Sequence, residues 1–264
     1  MVQIPGFLFI ACLASTIGAI SGIGGGIIIK PVLDAFSGQR PAEINFLSGS
    51  TVLAMSLVSL LRSRNSGVRL EQGRGTAIAG GAALGGAAGK LIFSAALRFF
   101  SRAAVVGIVQ SLILIVLALL VLLYLKKKKT IRPLNIHNIP FCLLTGLLLG
   151  MVSAFLGIGG GPINIMVISF FLSMDSKTTA LHSLYAVFLS QAAGFLLVFA
   201  EGSVPPVNPV LVAAMIAGGI SGGLIGSRIV KLISNDQVDG LFSVVLWLVI
   251  LLSAYNTVRL AAFR

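Results

Sequence analysis

Apolar residues in this chain come in long runs separated by short polar stretches, a pattern that already dictates the class of fold. Ala103 to Leu125 carries no charged side chain in 23 residues, and Leu241 to Val258 carries none in 18. At about 1.5 Å of rise per residue, each is long enough to cross a hydrocarbon core of roughly 30 Å. The runs predict eight long helices, at about residues 4–21, 42–62, 74–97, 103–125, 138–156, 178–200, 207–230 and 240–260. Two shorter apolar pieces, at about 27–37 and 162–174, are too short for an ordinary span and fit half-helices or re-entrant segments. The expected fold is an all-α polytopic membrane protein.

Each short piece follows an unusual interruption. Gly22-Ile23-Gly24-Gly25-Gly26 puts four glycines into five residues, and Gly157-Ile158-Gly159-Gly160-Gly161 repeats it 135 residues later. Ser48 and Ser183 fall on one another at the same offset, and Gly85-Gly86-x-x-Gly89 matches Gly222-Gly223-x-x-Gly226 at an offset of 137. Matches in the same order imply a duplicated unit of four long helices plus one short, broken helix. The expected organisation is a first transmembrane repeat at 1–125, a basic cytoplasmic linker at 126–139 and a second repeat at 140–264.

Composition narrows the class further. The chain is 57% hydrophobic and 10% charged, against about 25% charged residues in soluble domains. The net charge of +12 does not point to nucleic acid, because the basic residues sit mostly in short loops between apolar runs. Cys12 and Cys142 lie in apolar segments without metal-ligand or disulfide spacing and read as small buried hydrophobes. Ile4 to Ser21 is expected to remain as a helix rather than act as a signal peptide, since no Lys or Arg precedes Lys30.

Charge also bears on topology. With four crossings per repeat the halves would be parallel, and the loop bearing Arg62, Arg64, Arg69 and Arg74 would share a side with Glu201 to Pro209, which has no basic residue. With five crossings the halves are inverted, and the 62–74 loop, the lysine linker and the Arg228/Lys231 loop face the cytoplasm together. The bias favours inversion, although Arg98, Arg102, Arg259 and Arg264 then fall on the other side.

Several chemistries can be set aside. Ile27 stands where a dinucleotide fingerprint needs its last glycine, and neither glycine motif continues into the Gly-Lys-Ser/Thr of a phosphate-binding loop. No paired carboxylates, metal-ligand cluster or nucleophile–base arrangement marks an enzyme, and no cofactor is implied. What the glycines do offer is a helix break that tolerates positive φ and close approach to the backbone. Inside a bilayer such a break must line a cavity or lie within protein. The restarted helix, at Ile27 or Pro162, aims its free N–H groups and positive dipole end at that cavity, and such ends bind anions. Gly24, Gly25, Gly26 and Ile27 of one copy, with Gly159, Gly160, Gly161 and Ile163 of the other, are therefore the candidate anion-binding backbone. Gly81, Gly85 and Gly89, like Gly218, Gly222 and Gly226, recur every fourth residue and read instead as helix-packing stripes.

Polar side chains nearby extend the candidate site. Ser48, Ser183 and Asn164 could donate to an anion, although a membrane Ser commonly bonds its own i−4 carbonyl. His182 and Gln191 are candidate coupling residues, with a plain interhelical hydrogen bond as the alternative for His182. Lys30 is either a countercharge near the anion or a snorkelling partner of Asp34, four residues on. Lys90, nearer its helix end, is expected to snorkel. Gly25→Val or Gly160→Val is expected to abolish anion binding while leaving the fold intact.

Two such glycine motifs, each followed by a short apolar helix and a Ser-bearing helix, resemble the sulfite exporter TauE/SafE family of membrane permeases, and the resemblance runs through nearly the whole chain. It implies a secondary permease of the bacterial inner membrane for small sulfur-containing oxyanions such as sulfite or organosulfonates. The family's motifs fall on Gly22 to Gly26 and Gly157 to Gly161, and its A-x-x-T-S-L-like stretch on Leu47-Ser48-Gly49 and His182-Ser183-Leu184. The usual Thr is Leu47 in one half and His182 in the other, and Lys30 replaces a small or apolar residue. The partners so implied are the anion, the lipid bilayer and a co-transported proton or ion. An anion channel, or a carrier for another small anion or organic acid, is the competing reading.

Overall fold

The computed structural model describes residues 3–63, 70–100, 103–128 and 130–262, and every regular element among them is helical. Ten helices follow in order: α1 (Gln3–Ser21), α2 (Gly26–Phe36), α3 (Pro41–Ser63), α4 (Arg74–Phe99), α5 (Ala103–Lys127), α6 (Ile139–Leu156), α7 (Pro162–Leu172), α8 (Ser176–Ala200), α9 (Pro209–Ile229) and α10 (Asn235–Ala262). Eight of them, all but α2 and α7, are long and apolar enough to cross a membrane. Arg64, Arg69, Arg102 and Arg264 lie outside the described residues.

Local chemistry sets the boundaries. Asn138 and Asn208 cap α6 and α9, their side chains accepting from the N–H groups of Phe141 at 3.0 Å and Val210 at 2.9 Å. Gly157 ends α6 in the left-handed conformation (φ +68°), a position that suits glycine. Ser173, also left-handed at φ +56°, stops α7 two residues short of the expected 174. α10 begins at Asn235 rather than at 240, because the polar segment Asn235–Gly240 continues the helix into the loop region.

The glycine stripes knit the bundle. A side chain at Gly81, Gly85 or Gly89 of α4 would overlap the backbone carbonyls of Leu143, Leu147 and Met151 on α6. Gly218, Gly222 and Gly226 of α9 meet the carbonyls of Leu8, Cys12 and Thr16 on α1 in the same way. Without a hydrophobic driving force between helices in lipid, this close backbone approach is what holds such pairs together. Both stripes are packing surfaces, as their spacing predicts. Cys142 is buried as expected, whereas Cys12 is only half-buried.

α3 and α8 lie side by side in opposite directions. Phe46 of α3 stacks edge-on against Phe195 of α8 with ring centroids 5.2 Å apart, Gly49 sits against Gln191 and Phe195, and further along Val52 and Val187 converge on Gly24. α2 turns back along α1, so that Gly6, Phe7 and Ile10 share one cavity wall with Val32, Leu33 and Phe36. The two short helices end at opposite faces of the bundle. Arg259, near the end of α10, donates to the carbonyls of Asp34 (3.0 Å) and Ala35 at the end of α2. At the end of α7, the carbonyls of Phe170 and Phe171 accept from Leu134 N–H (2.9 Å) and Ile136 N–H (2.7 Å) of the linker. The linker face also carries Arg74 bonded to Asn135, and Lys128 paired with Asp239 at 2.9 Å.

Candidate functional site

The two glycine motifs meet each other directly in the interior. All ten of their residues are buried. A Cβ on Gly26 would overlap the carbonyl of Ile158, and one on Gly160 would come to 2.6 Å from the carbonyl oxygen of Ile23. The start of α2 at Gly26, and Gly160 just before the Gly161 cap of α7, are thus each packed on the isoleucine carbonyl of the opposite motif. Gly22 and Gly24 have φ of +75° and +85°, and Gly157 and Gly159 have +68° and +71°. The break therefore takes the same backbone form twice, with left-handed residues at the first and third positions that an L side chain would strain.

The helices restart at Gly26 and Pro162, one residue earlier than expected in the first copy and as expected in the second. Within these first turns the N–H of Ile28 is taken by Gly25 O at 3.1 Å, and that of Asn164 by Gly161 O at 3.0 Å. Pro162 has no N–H, which its position at the start of the helix makes harmless. The N–H groups that such a turn leaves without intrahelical partners belong to the residues at its very start, and they confer partial positive charge there.

α3 and α8 supply the walls. Asn45, Ser48 and Val52 share one face of α3, and Ala180, Ser183 and Val187 share one face of α8 by the same i, i+3, i+7 spacing. Asn45 packs on Gly157, and Ala180 packs on Gly22. Val52 covers Gly24 and Gly159, while Val187 covers Gly24 and Gly160. Ser48 Oγ lies beside Gly26, where a Cβ would come to 2.9 Å from it. Ser48 and Ser183 are 0% exposed, and neither hydroxyl has a hydrogen-bond partner among the described residues, not even its own i−4 carbonyl. Thr51, by contrast, does bond back to Leu47 O at 2.7 Å. Buried polar atoms are normally satisfied, so these unpartnered hydroxyls, Ser48 beside the start of α2, are candidates for donation to a bound group. Asn164, on the first turn of α7, is buried with its Oδ1 unpartnered, as are Gln191 Oε1 and both amide atoms of Asn45.

Other sequence candidates lie elsewhere. His182 is held between helices: its Nε2 accepts from Glu71 N–H at 2.9 Å, and its Nδ1 faces Thr178 O at 2.9 Å. Accepting at one nitrogen and donating at the other fits the neutral ring. Lys30 pairs with Asp34, Nζ to Oδ2 2.8 Å, both largely buried. The pair lines a small cavity with Gln110, Ser111 and Ser253, on the side of α2 that faces α5 and α10 rather than Ser48. Lys90 does not snorkel as expected: it is 8% exposed, with Nζ 5.7 Å from the centroid of the Phe195 ring.

Sequence reasoning missed Asn45, Val52 and Val187. The valines match at the 135-residue offset but read as ordinary apolar positions. Asn45 matches Ala180, so comparison of the halves passes over it.

Comparison with known proteins identifies the family of the chain. The family model described as "Sulfite exporter TauE/SafE" matches residues 7–253 of the 264. No curated protein and no solved structure matches the chain. The match takes in both glycine motifs, both Ser-bearing helices and both glycine stripes, so the chain belongs to the TauE/SafE family of membrane transporters.

Proposed function

We propose that this protein is a secondary carrier of small sulfur-containing oxyanions, sulfite or an organosulfonate, across the bacterial inner membrane. The anion is held where the starts of α2 and α7 meet. The observation that carries this reading is the mutual contact of the two motifs, Ile23 carbonyl on Gly160 and Ile158 carbonyl on Gly26, which sets two helix N-termini against one another in the interior. Two opposed positive dipole ends attract an anion without a formal cation. The unpartnered hydroxyls of Ser48 and Ser183, with the Nδ2–H group of Asn164, then donate to its oxygens. With the opposite carbonyls packed on both starts, the conformation is a closed one, and the anion enters when the motifs separate.

The halves in this reading are inverted repeats, α1–α5 and α6–α10, joined by a cytoplasmic linker. Supporting it, the matched helices α3 and α8 run in opposite directions, and the matched half-helices α2 and α7 end at opposite faces. Arg62, Arg74, Lys128 and Arg132 then lie on the linker face, which the rule for basic loops assigns to the cytoplasm. Arg259, on the other face, answers to the carbonyls that end α2 instead. α1 and α2 form a hairpin that enters and leaves on one side. The Lys30–Asp34 pair, turned toward α5 and α10, anchors α2 rather than touching the anion.

The test is ligand-dependent stability. Purified protein in detergent should melt at higher temperature with increasing sulfite, and labelled sulfite should exchange across proteoliposomes in saturable counterflow. A mass-action stabilisation of about 2.7 kcal/mol is expected at one hundred times Kd. Flux that neither saturates nor exchanges would support the channel reading, and no response to sulfite, thiosulfate or sulfonates would remove the sulfur-oxyanion reading.

A further inference from the structure

Two cavities flank the closed centre, and they are counterparts of one another. One, of about 260 Å³, is lined by Ala42 and Asn45 of α3 and by Lys90, Ser94 and Arg98 of α4, with Ser203 in the loop after α8. The other, of about 210 Å³, is lined by Lys177, Ala180, Ser227 and Lys231. Lys177 and Ala180 stand 135 residues after Ala42 and Asn45, and Ser227 and Lys231 stand 137 after Lys90 and Ser94. These are the two offsets of the repeat itself. The cavities lie at opposite ends of α3, one at its start and the other at Ser59 and Ser63 near its finish.

The lining positions are duplicated, but the depth of the charge is not: the second cavity's cations, Lys177 and Lys231, are half-buried and exposed, whereas the first has the buried Lys90. In the first cavity the exposed Arg98 and Ser203 stand at the mouth, and the floor is polar. Lys90, two helical turns or about 12 Å deeper along α4 than Arg98, is 8% exposed and has no carboxylate partner among the described residues. Asn45 is 1% exposed, with both amide atoms unpartnered, and it packs on Gly157, the first residue of the second glycine motif. In the second cavity the same floor positions are Ala180 and Ser227, and the Ser227 hydroxyl is already bonded to Gly223 O at 2.6 Å. The Phe195 ring supplies the Lys90 ammonium only a weak electrostatic attraction and does not stand in for a carboxylate.

Resting on the carrier reading above, we infer that the cavity floored by Lys90 and Asn45 is a second oxyanion subsite, through which the anion passes to or from the glycine motifs at one face only. Arg98 draws the anion to the mouth, Lys90 neutralises it as it leaves water, and the Asn45 amide donates to it beside Gly157. The opposite cavity has Lys177 and Lys231 nearer solvent but no buried cation, and Ala180 and the satisfied Ser227 at the floor positions, so it passes the anion without holding it as tightly. The carrier is therefore asymmetric: it has the higher affinity from the face bearing the 201–208 loop.

Sulfite transport measured in right-side-out and inside-out vesicles tests this. Lys90→Met, which keeps an unbranched stem against Gly194, should raise KM for sulfite about tenfold from the loop face and by less than twofold from the linker face. The loss should fall on KM more than on Vmax. Lys90→Arg should restore most of the affinity. Asn45→Ala, a smaller change that serves if Lys90→Met folds poorly, should raise KM severalfold from the same face. Wild-type transport with KM unchanged in these variants, or raised equally from both faces, would overturn the subsite and leave the carrier reading standing. A wild type that moves no sulfite overturns the carrier reading and the subsite with it.

Discussion

At the scale of single residues, the structure separates glycines that build the site from glycines that only permit packing. A side chain at Gly26 or Gly160 would collide with the backbone of Ile158 or Ile23, and one at Gly25 would come to 2.9 Å from the Ser15 Cα. Substitution there disturbs the fold as well as the site, so Gly25→Val and Gly160→Val are poorer probes than the sequence suggests. Gly161 is different: φ is −121°, and a Cβ would meet nothing closer than Ile163 Cγ2 at 3.5 Å. Gly161→Ala should therefore melt within about 1 kcal/mol of wild type while weakening sulfite binding by crowding the start of α7. Comparison of the melting curve with the binding isotherm checks both halves of that statement. Ser48→Ala removes a hydroxyl that no described residue bonds, so it should leave stability unchanged or slightly raised. If the hydroxyl donates to the anion, affinity should fall about tenfold, corresponding to a charged hydrogen bond of roughly 1.5 kcal/mol. These serines were legible because they repeat at a fixed offset. Asn45 was not, since its counterpart Ala180 carries no polar group and a lone Asn near a helix start reads as a solvated end.

Whole helices were legible to within a few residues, because an apolar run broken by glycine, proline or a capping Asn leaves few alternatives. The direction of α2 was not. An eleven-residue helix can continue a span or return beside it, and the cavity that Val32, Leu33 and Phe36 share with the start of α1 shows that it returns. Lys30 belongs to this scale, because it acts on α2 as an element. Lys30→Met alone strands the Asp34 carboxylate in a largely buried position and should cost about 3–5 kcal/mol, read as a lower melting temperature. Lys30→Met with Asp34→Leu should recover most of that loss and retain sulfite binding. Recovery of stability without recovery of binding would return Lys30 to the anion site. Gly85→Leu, which forces α4 away from the Leu147 carbonyl, should lower stability more than either change to the pair.

For the molecule as a whole, the proposed inverted repeats set matched elements against one another in space, as the opposed directions of α3 and α8 support. Charge bias in the loops hinted at inversion without requiring it, since Arg98 and Arg259 argued the other way. The structure gives each of those arginines a local reason: one lines a cavity mouth and the other caps α2. Single cysteines at Gln72 and Ser203 should react with an impermeant maleimide from opposite sides of the membrane; labelling from one side would restore the parallel arrangement. The claim on which all else depends is that both halves hold one anion. Equilibrium binding of radiolabelled sulfite to purified wild type, Ser48→Ala and Gly161→Ala measures it directly. Saturable wild-type binding, weakened about tenfold by the change in either half while all three proteins melt alike, is the predicted result. Undiminished binding in either variant would contradict a site shared between the two half-helices.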